Sequence, residues 1–122
     1  MKIKATCFAC LLLLCTVAGF AQGGGPRRTV EERVKMTMDT LKVNLKLDAA
    51  QVTATDSIFT GFYKEMDAMR ESGTRPDRTV METKMSERDD KLKKVFTPEQ
   101  FSQYKAWEAA RRERMRAQRP GN

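Results

Sequence analysis

Two capping boxes, spaced 49 positions apart, constrain the fold of this chain more than any other feature. In the first box, Asp48 stands at the N-cap, and Gln51 is placed to reach back to the backbone N–H of the cap. Thr97 and Gln100 hold the same two places in the second box. Pro98 follows at the first helical position, where the missing N–H of proline costs nothing. The two boxes therefore predict two helix starts.

Apolar residues flank both boxes in the manner of a hydrophobic staple. Leu47 precedes the first cap and Val52 follows Gln51, while Phe96 and Phe101 hold the equivalent places in the second segment. This similarity indicates an internal repeat of helix, tight turn and helix. The alternative is a chance similarity between amphipathic helices.

The first half of the repeat predicts two helices. Helix 1 is expected over Val30–Leu45, after a further capping box at Thr29 and Glu32. Helix 2 is expected from after Asp48 to about Ser72, with Gly73 as its left-handed C-terminal cap. Helical spacing predicts that these helices bury Val30, Val34, Met38, Leu41 and Leu45, and Val52, Ile58, Phe59, Phe62, Tyr63, Met66 and Met69.

The second half predicts two more helices after the break at residues 73–77. Thr79 and Glu82 have capping-box spacing and are expected to open helix 3, and helix 4 is expected from after Thr97 to about Gln118. Asp89 and Asp90 are expected on a solvated face. The predicted apolar stripes are Met81, Met85, Leu92 and Val95 on helix 3, and Phe101, Tyr104, Trp107 and Met115 on helix 4.

No segment shows the alternating pattern of a strand, so the predicted fold class is all-α, with four helices in two helix–turn–helix hairpins. The helical domain is assigned to residues 29–118. Residues 22–28 are expected to form a flexible spacer, and residues 119–122 a C-terminal tail.

The N-terminus has the pattern of a secretory signal peptide. Lys2 and Lys4 precede an apolar run over residues 8–17, and small residues lead to a cleavage site after Ala21. We therefore expect residues 1–21 to be removed and the protein to be periplasmic. An uncleaved membrane anchor is the alternative, and lipid attachment at Cys15 is disfavoured because Leu14 stands where a small residue is needed.

The residue inventory argues against an enzyme and against a metal site. The chain contains no histidine, and its three cysteines, Cys7, Cys10 and Cys15, all lie within the signal segment. The mature chain therefore lacks the commonest catalytic base, a thiol nucleophile and the usual zinc ligands. We expect no catalytic residue, no metal and no cofactor.

Two groups of side chains are candidates for binding. Met36 and Val43 lie off the main stripe of helix 1 and need either a second packing partner or exposure. Methionine is flexible and polarisable, which suits surfaces that adapt to different partners. The candidate client-binding residues are Met36, Val43, Met66, Met69 and Met85, and the candidates for binding an anionic surface are Arg111, Arg112, Arg114 and Arg116.

At the two capping segments the chain resembles the Spy/CpxP family of periplasmic proteins, whose hallmark is a pair of L-T-x-x-Q motifs. Residues 47–51 and 96–100 follow this pattern, with Asp48 in place of threonine and Phe96 in place of leucine. Both replacements keep the physical role, because Asp also caps and Phe also clamps a turn. The resemblance implies a cradle-like homodimer with a basic concave face and ATP-independent protection of unfolded proteins.

The leading functional hypothesis is thus a holdase-type chaperone of unfolded or aggregation-prone envelope proteins. The net charge of the full sequence is +7, and removal of Lys2 and Lys4 with the signal segment leaves +5, which would attract clients before methionine and aromatic side chains hold them. The alternatives are a regulatory partner of an envelope stress sensor and a binder of anionic envelope surfaces. Binding of nucleic acid is disfavoured by the export signal.

Overall fold

A computed structural model describes residues 26–119 and residue 121. These residues form four α-helices and no strand: α1 (Val30–Leu45), α2 (Ala49–Glu71), α3 (Arg78–Val95) and α4 (Pro98–Ala117). The all-α prediction and the four predicted helices are confirmed. The signal segment with its cleavage site, its three cysteines and most of the spacer lie outside the described residues.

Three of the four helices begin with a complete capping box. The side chains of Thr29, Asp48 and Thr97 each accept a hydrogen bond from the backbone N–H three residues on, and that residue's side chain accepts one from the cap. Each box satisfies two N–H groups that a helix start otherwise leaves without a partner. Gly73 follows α2 with φ of 76°, the left-handed conformation predicted for it.

The start of α3 differs from the prediction. The N-cap is Asp77, whose side chain makes no capping hydrogen bond, so the predicted box at Thr79 and Glu82 does not form. Glu82 instead pairs with Arg78 across one helical turn, with 2.8 Å between Nε and Oε1. Because α3 already begins at Arg78, Thr79 lies inside the helix and cannot serve as its N-cap.

Side-chain contacts show that consecutive helices run antiparallel. The ion pair of Arg33 with Asp67 joins the start of α1 to the end of α2. Lys84 of α3 lies 3.5 Å from the carboxylate of Glu65 on α2. The two capped turns therefore lie at one end of the bundle, and the turn between α2 and α3 lies at the other.

The core contains residues from all four helices and from the turn before α4, and it confirms most of the predicted stripe of α1. The fully or nearly fully buried apolar side chains are Val34, Met38, Leu41, Leu45, Phe59, Met66, Leu92, Phe96 and Tyr104. Tyr104 lies at the centre of an aromatic cluster, with ring centroids 5.9–6.4 Å from those of Phe59, Phe96, Phe101 and Trp107. Such spacing is typical of favourable aromatic pairs.

Two expectations about burial are wrong. Met115 is predicted in the stripe of α4 but is exposed, because it lies beyond the part of α4 that packs on the core. Asp89 is predicted on a solvated face but is largely buried against Arg88, Tyr104 and Lys105, whereas Asp90 is exposed as expected.

Within the described residues, no helix is both long and apolar enough to span a membrane.

Candidate functional site

The two glutamines of the capping boxes meet at the junction of the two capped turns. The amide nitrogen of Gln51 lies 2.7 Å from Oε1 of Gln100, and the amide nitrogen of Gln100 lies 3.3 Å from Oε1 of Gln51. Gln51 also donates to the carbonyl of Val95 at 3.1 Å, and Gln100 donates to the carbonyl of Leu45 at 3.0 Å. Each glutamine therefore binds the last carbonyl of a helix in the other half of the chain.

The same side chains also complete their own caps, which fixes the orientation of each amide. Oε1 of Gln51 accepts from the N–H of Asp48 at 3.1 Å, and Oε1 of Gln100 accepts from the N–H of Thr97 at 3.0 Å. Every oxygen thus faces donors and every amide nitrogen faces acceptors. These glutamines hold the two turns together and have little capacity left for a ligand.

Leu47 and Phe96 pack on the hydrophobic core next to the glutamine junction. Phe96 belongs to the buried core, and Leu47 packs against the core while partly exposed. Val52 and Phe101, the predicted partners in the two staples, also pack against the core. The six motif residues Leu47, Asp48, Gln51, Phe96, Thr97 and Gln100 therefore form one structural unit.

A buried ionic network lies between α3 and α4, and sequence reasoning missed it. Nη2 of Arg88 lies 2.9 Å from Glu108 and 2.9 Å from Asp89. Asp89 also accepts hydrogen bonds from Tyr104 at 3.2 Å and from Lys105 at 2.6 Å. The guanidinium carbon of Arg88 is 4.7 Å from the centroid of the Phe62 ring on α2, in cation–π geometry, so the network joins three helices.

Electrostatics within this network favour the charged forms of its ions. Burial opposes ionisation of Asp89, but hydrogen bonds from Lys105 and Arg88 outweigh burial and lower the pKa of Asp89. Burial likewise opposes the charge on Arg88, but the acidic groups around it, the carboxylates of Glu108 and Asp89 among them, outweigh burial and raise the pKa of Arg88. Burial raises the pKa of Tyr104, which stays protonated and donates its hydrogen bond. The network has the properties of a structural anchor.

Exposed apolar side chains lie on the outer face of α1. Met36 is 50% exposed and Val43 is 75% exposed, and their spacing of seven residues places them on one side of the helix. Lys42 and Lys46, on either side of Val43 in the sequence, form no ion pair with any described residue. We call Met36 and Val43 with these two lysines the outer face of α1.

The other three candidate client-binding residues do not extend this face. Met66 is 6% exposed and belongs to the buried side of α2. Met69 and Met85 are partly buried, and the sulfur of Met85 lies 3.5 Å from Nη2 of Arg112. The structure thus brings together Met36 and Val43 but does not bring the other methionines to them.

The four candidate arginines for an anionic surface are distributed around α4. Arg111 stacks on Trp107 at 5.6 Å, Arg112 pairs with Glu108 at 3.2 Å, and Arg116 pairs with Glu113 at 3.7 Å. Arg114 is exposed. Because successive residues advance by about 100° around a helix, these four side chains do not present one continuous face.

A different basic site lies at the opposite end of the bundle from the glutamine junction. It is a cleft of about 720 Å³ at the turn between α2 and α3. We call it the arginine cleft, and its side chains include Met66, Met81, Arg70, Arg75, Arg78 and Arg119. The sequence signal that could have found it is the close spacing of three of these arginines on both sides of Gly73 and Pro76.

The described residues contain no group of three or more histidine, cysteine, aspartate or glutamate side chains placed to hold a metal ion. Comparisons of the chain with protein-family models, with curated proteins and with solved structures find no significant match.

Proposed function

We propose that this protein is a non-catalytic, ATP-independent chaperone of the holdase type that binds unfolded proteins in the periplasm. The observation that carries the proposal is the outer face of α1, where Met36 and Val43 are exposed beside unpaired lysines. A folded domain this small gains nothing in stability from exposing these side chains. Met36 and Val43 lie on one side of α1 beside two cations, and this shared position supports an interaction surface.

The chemistry of this face suits clients without a fixed structure. Lysines attract acidic segments over a distance of about 10 Å at ordinary ionic strength. Methionine then adapts its three rotatable bonds to apolar side chains of different shape. Weak contacts of this kind allow a client to leave and fold without an energy source.

The resemblance of the two capping segments to the Spy/CpxP family supports the same proposal. Within this proposal the protein is exported by its signal peptide and acts as a cradle-like homodimer. Static light scattering after size-exclusion chromatography measures the oligomeric state directly. A strictly monomeric protein at working concentration would contradict the dimer but leave the holdase activity to be decided by its own assay.

The activity is tested by following the aggregation of a chemically unfolded client by light scattering, without nucleotide. We expect the wild-type protein to suppress aggregation and the Met36→Ser/Val43→Ser variant to lose most of this protection. The matched control is Val80→Ser/Met115→Ser, which removes one valine and one methionine that are also exposed but lie on other helices. Wild-type protein without effect on aggregation, or equal losses in both variants, would refute the proposal.

The alternative of a regulatory partner of an envelope stress sensor uses the same face differently. A chaperone should capture many proteins weakly, whereas a regulator should form one saturable complex. Crosslinking of the protein in envelope extract, followed by mass spectrometry, separates the two roles.

A further inference from the structure

The arginine cleft has a strongly positive lining with an apolar floor. Arg70, Arg75, Arg78 and Arg119 contribute four guanidinium groups, and the lining contains no acidic residue. Met66 is buried at the floor of the cleft, and Met81 is partly buried. A volume of about 720 Å³ lies in the range of sites that bind small organic molecules.

Two of the four arginines lack any partner within the described part of the chain. Arg75 and Arg119 form neither an ion pair nor a side-chain hydrogen bond there, whereas Arg78 pairs with Glu82 at 2.8 Å. Arg70 pairs with Asp67 at the long distance of 3.7 Å, and Asp67 is shared with Arg33, so this carboxylate compensates Arg70 only in part. The cleft therefore holds uncompensated positive charge, most of it at Arg75 and Arg119.

Helix dipoles do not account for this arrangement. A cation is favoured at the end of a helix, which suits Arg70 near the end of α2 and Arg119 just beyond α4. Arg78, however, is the first residue of α3, where a cation is disfavoured, and the first turn of α3 has no acidic residue. The carboxylates of Asp77 at the N-cap and of Glu82 offset part of this cost, and an anion bound in the cleft would offset it further.

The balance of donors and acceptors indicates the class of anion. Guanidinium groups only donate hydrogen bonds, and among the side chains of the lining Thr74 alone is a conventional acceptor. A peptide carries roughly one N–H donor for each carbonyl, and those donors would find almost no side-chain acceptors in the arginine cleft. A phosphate or carboxylate on an alkyl chain brings only acceptors and an apolar tail, which matches arginines above methionines.

We propose that the arginine cleft is a binding site for a single-chain anionic amphiphile, with the anionic head between Arg75 and Arg119 and the alkyl chain on Met66 and Met81. The site lies at the turn between α2 and α3, away from the glutamine junction, and it does not include the outer face of α1. Its occupant is a small molecule and is independent of any protein client.

Isothermal titration calorimetry of the purified protein with decyl phosphate, below its micelle concentration, tests the proposal. We expect one saturable site per chain. Inorganic phosphate lacks the tail and decanol lacks the charge, so each should bind at least about tenfold more weakly. Similar affinities for phosphate and decyl phosphate would show that the methionine floor contributes nothing, and the proposal would fail.

Variants locate the site. Arg75→Gln/Arg119→Gln should lower the affinity for decyl phosphate at least about tenfold, because charge-assisted hydrogen bonds are lost. Both side chains are exposed, so the fold should persist, and circular dichroism checks it. The matched control is Lys93→Gln/Lys94→Gln, which removes the same charge from exposed positions at the far end of α3.

Three outcomes would overturn the assignment. The first is an equal loss of affinity in the Lys93 and Lys94 control, which would show attraction by net charge alone. The second is loss of decyl phosphate binding in Met36→Ser/Val43→Ser, which would place the tail on the outer face of α1. The third is tighter binding of a short acidic peptide than of decyl phosphate, which would identify a peptide site.

Discussion

Gln51 and Gln100 exchange hydrogen bonds across the junction although 49 positions separate them in the chain. Each also donates to the final carbonyl of a helix in the opposite half, at Val95 and Leu45. One side-chain type thus caps the start of its own helix and the end of another. This double role separates the motif from an ordinary capping box, in which glutamate serves as well as glutamine.

Replacing Gln100 by glutamate tests the double role. Glu at this position can still accept from the N–H of Thr97 but cannot donate to Leu45 or Gln51. Because the partly buried carbonyl of Leu45 loses its donor, we expect the free energy of unfolding in urea to fall by about 1–3 kcal/mol. Gln103→Glu, at an exposed position one turn further along α4, should change stability little. Equal stability of Gln100→Glu and wild type would show that Gln100 acts only as a helix cap and that its bonds to Leu45 and Gln51 do not contribute to stability.

The ion pair of Arg88 and Glu108 should be costly to break from one side. Arg88→Met leaves Glu108 buried with only Arg112 near it, and we expect a loss of about 3–5 kcal/mol in the free energy of unfolding. The double variant Arg88→Met/Glu108→Met removes both charges and should be more stable than Arg88→Met. Fluorescence of Trp107 during urea unfolding measures the wild type, Arg88→Met, Glu108→Met and the double variant. A double variant with the summed loss of both single variants would show that the pair is not coupled.

Asp89 should make the protein sensitive to acid. Its pKa is lowered in the folded state, so its stabilising contribution is complete above the unfolded pKa of about 3.9 and is lost as the pH falls through the folded pKa. We expect Asp89→Asn to be less stable than wild type at pH 7 and to lose less stability on acidification below about pH 4. Asp90→Asn, at the exposed neighbour, should follow the wild-type curve. Thermal unfolding between pH 2 and pH 7 measures the three profiles.

Gly61 should tolerate a side chain. It lies in the middle of α2, and a Cβ built there meets no atom within 4 Å. Since glycine costs about 1 kcal/mol relative to alanine inside a helix, Gly61→Ala should raise the melting temperature. Gly73→Ala should lower it, because Gly73 holds a φ of 76°. A lower melting temperature for Gly61→Ala would indicate that another chain approaches this glycine in solution.

The sequence predicted the local features of this fold well. Capping boxes at Thr29, Asp48 and Thr97 depend on residues three positions apart, so composition and spacing reveal them. The capping box at Thr79 does not form because α3 begins two residues earlier than that box requires, at Arg78, which places Thr79 inside the helix. The bond between Gln51 and Gln100 depends on how two distant turns meet, which spacing along the chain does not specify.

The buried polar residues were missed for a different reason. Thr55, Arg88 and Glu108 each occupy a position in the apolar stripe of their helix, between buried or partly buried neighbours three or four residues away. Their polar and charged side chains predict exposed positions, whereas their places in the helical repeat predict buried ones. Register was the better guide, because Arg88 and Glu108 compensate each other, while the hydroxyl of Thr55 has no partner among the described residues.

The reciprocity of the glutamine junction has a consequence for assembly. Each half of the molecule supplies the donor that the other half lacks, and residues 72–77 between α2 and α3 are the connection between the halves. The hairpin of α1 and α2 could make the same hydrogen bonds with the hairpin of α3 and α4 from a second copy of the chain. If residues 72–77 opened, two chains could exchange hairpins and keep every hydrogen bond of the junction, so the contacts that join the two halves of one chain are equally compatible with a domain-swapped dimer.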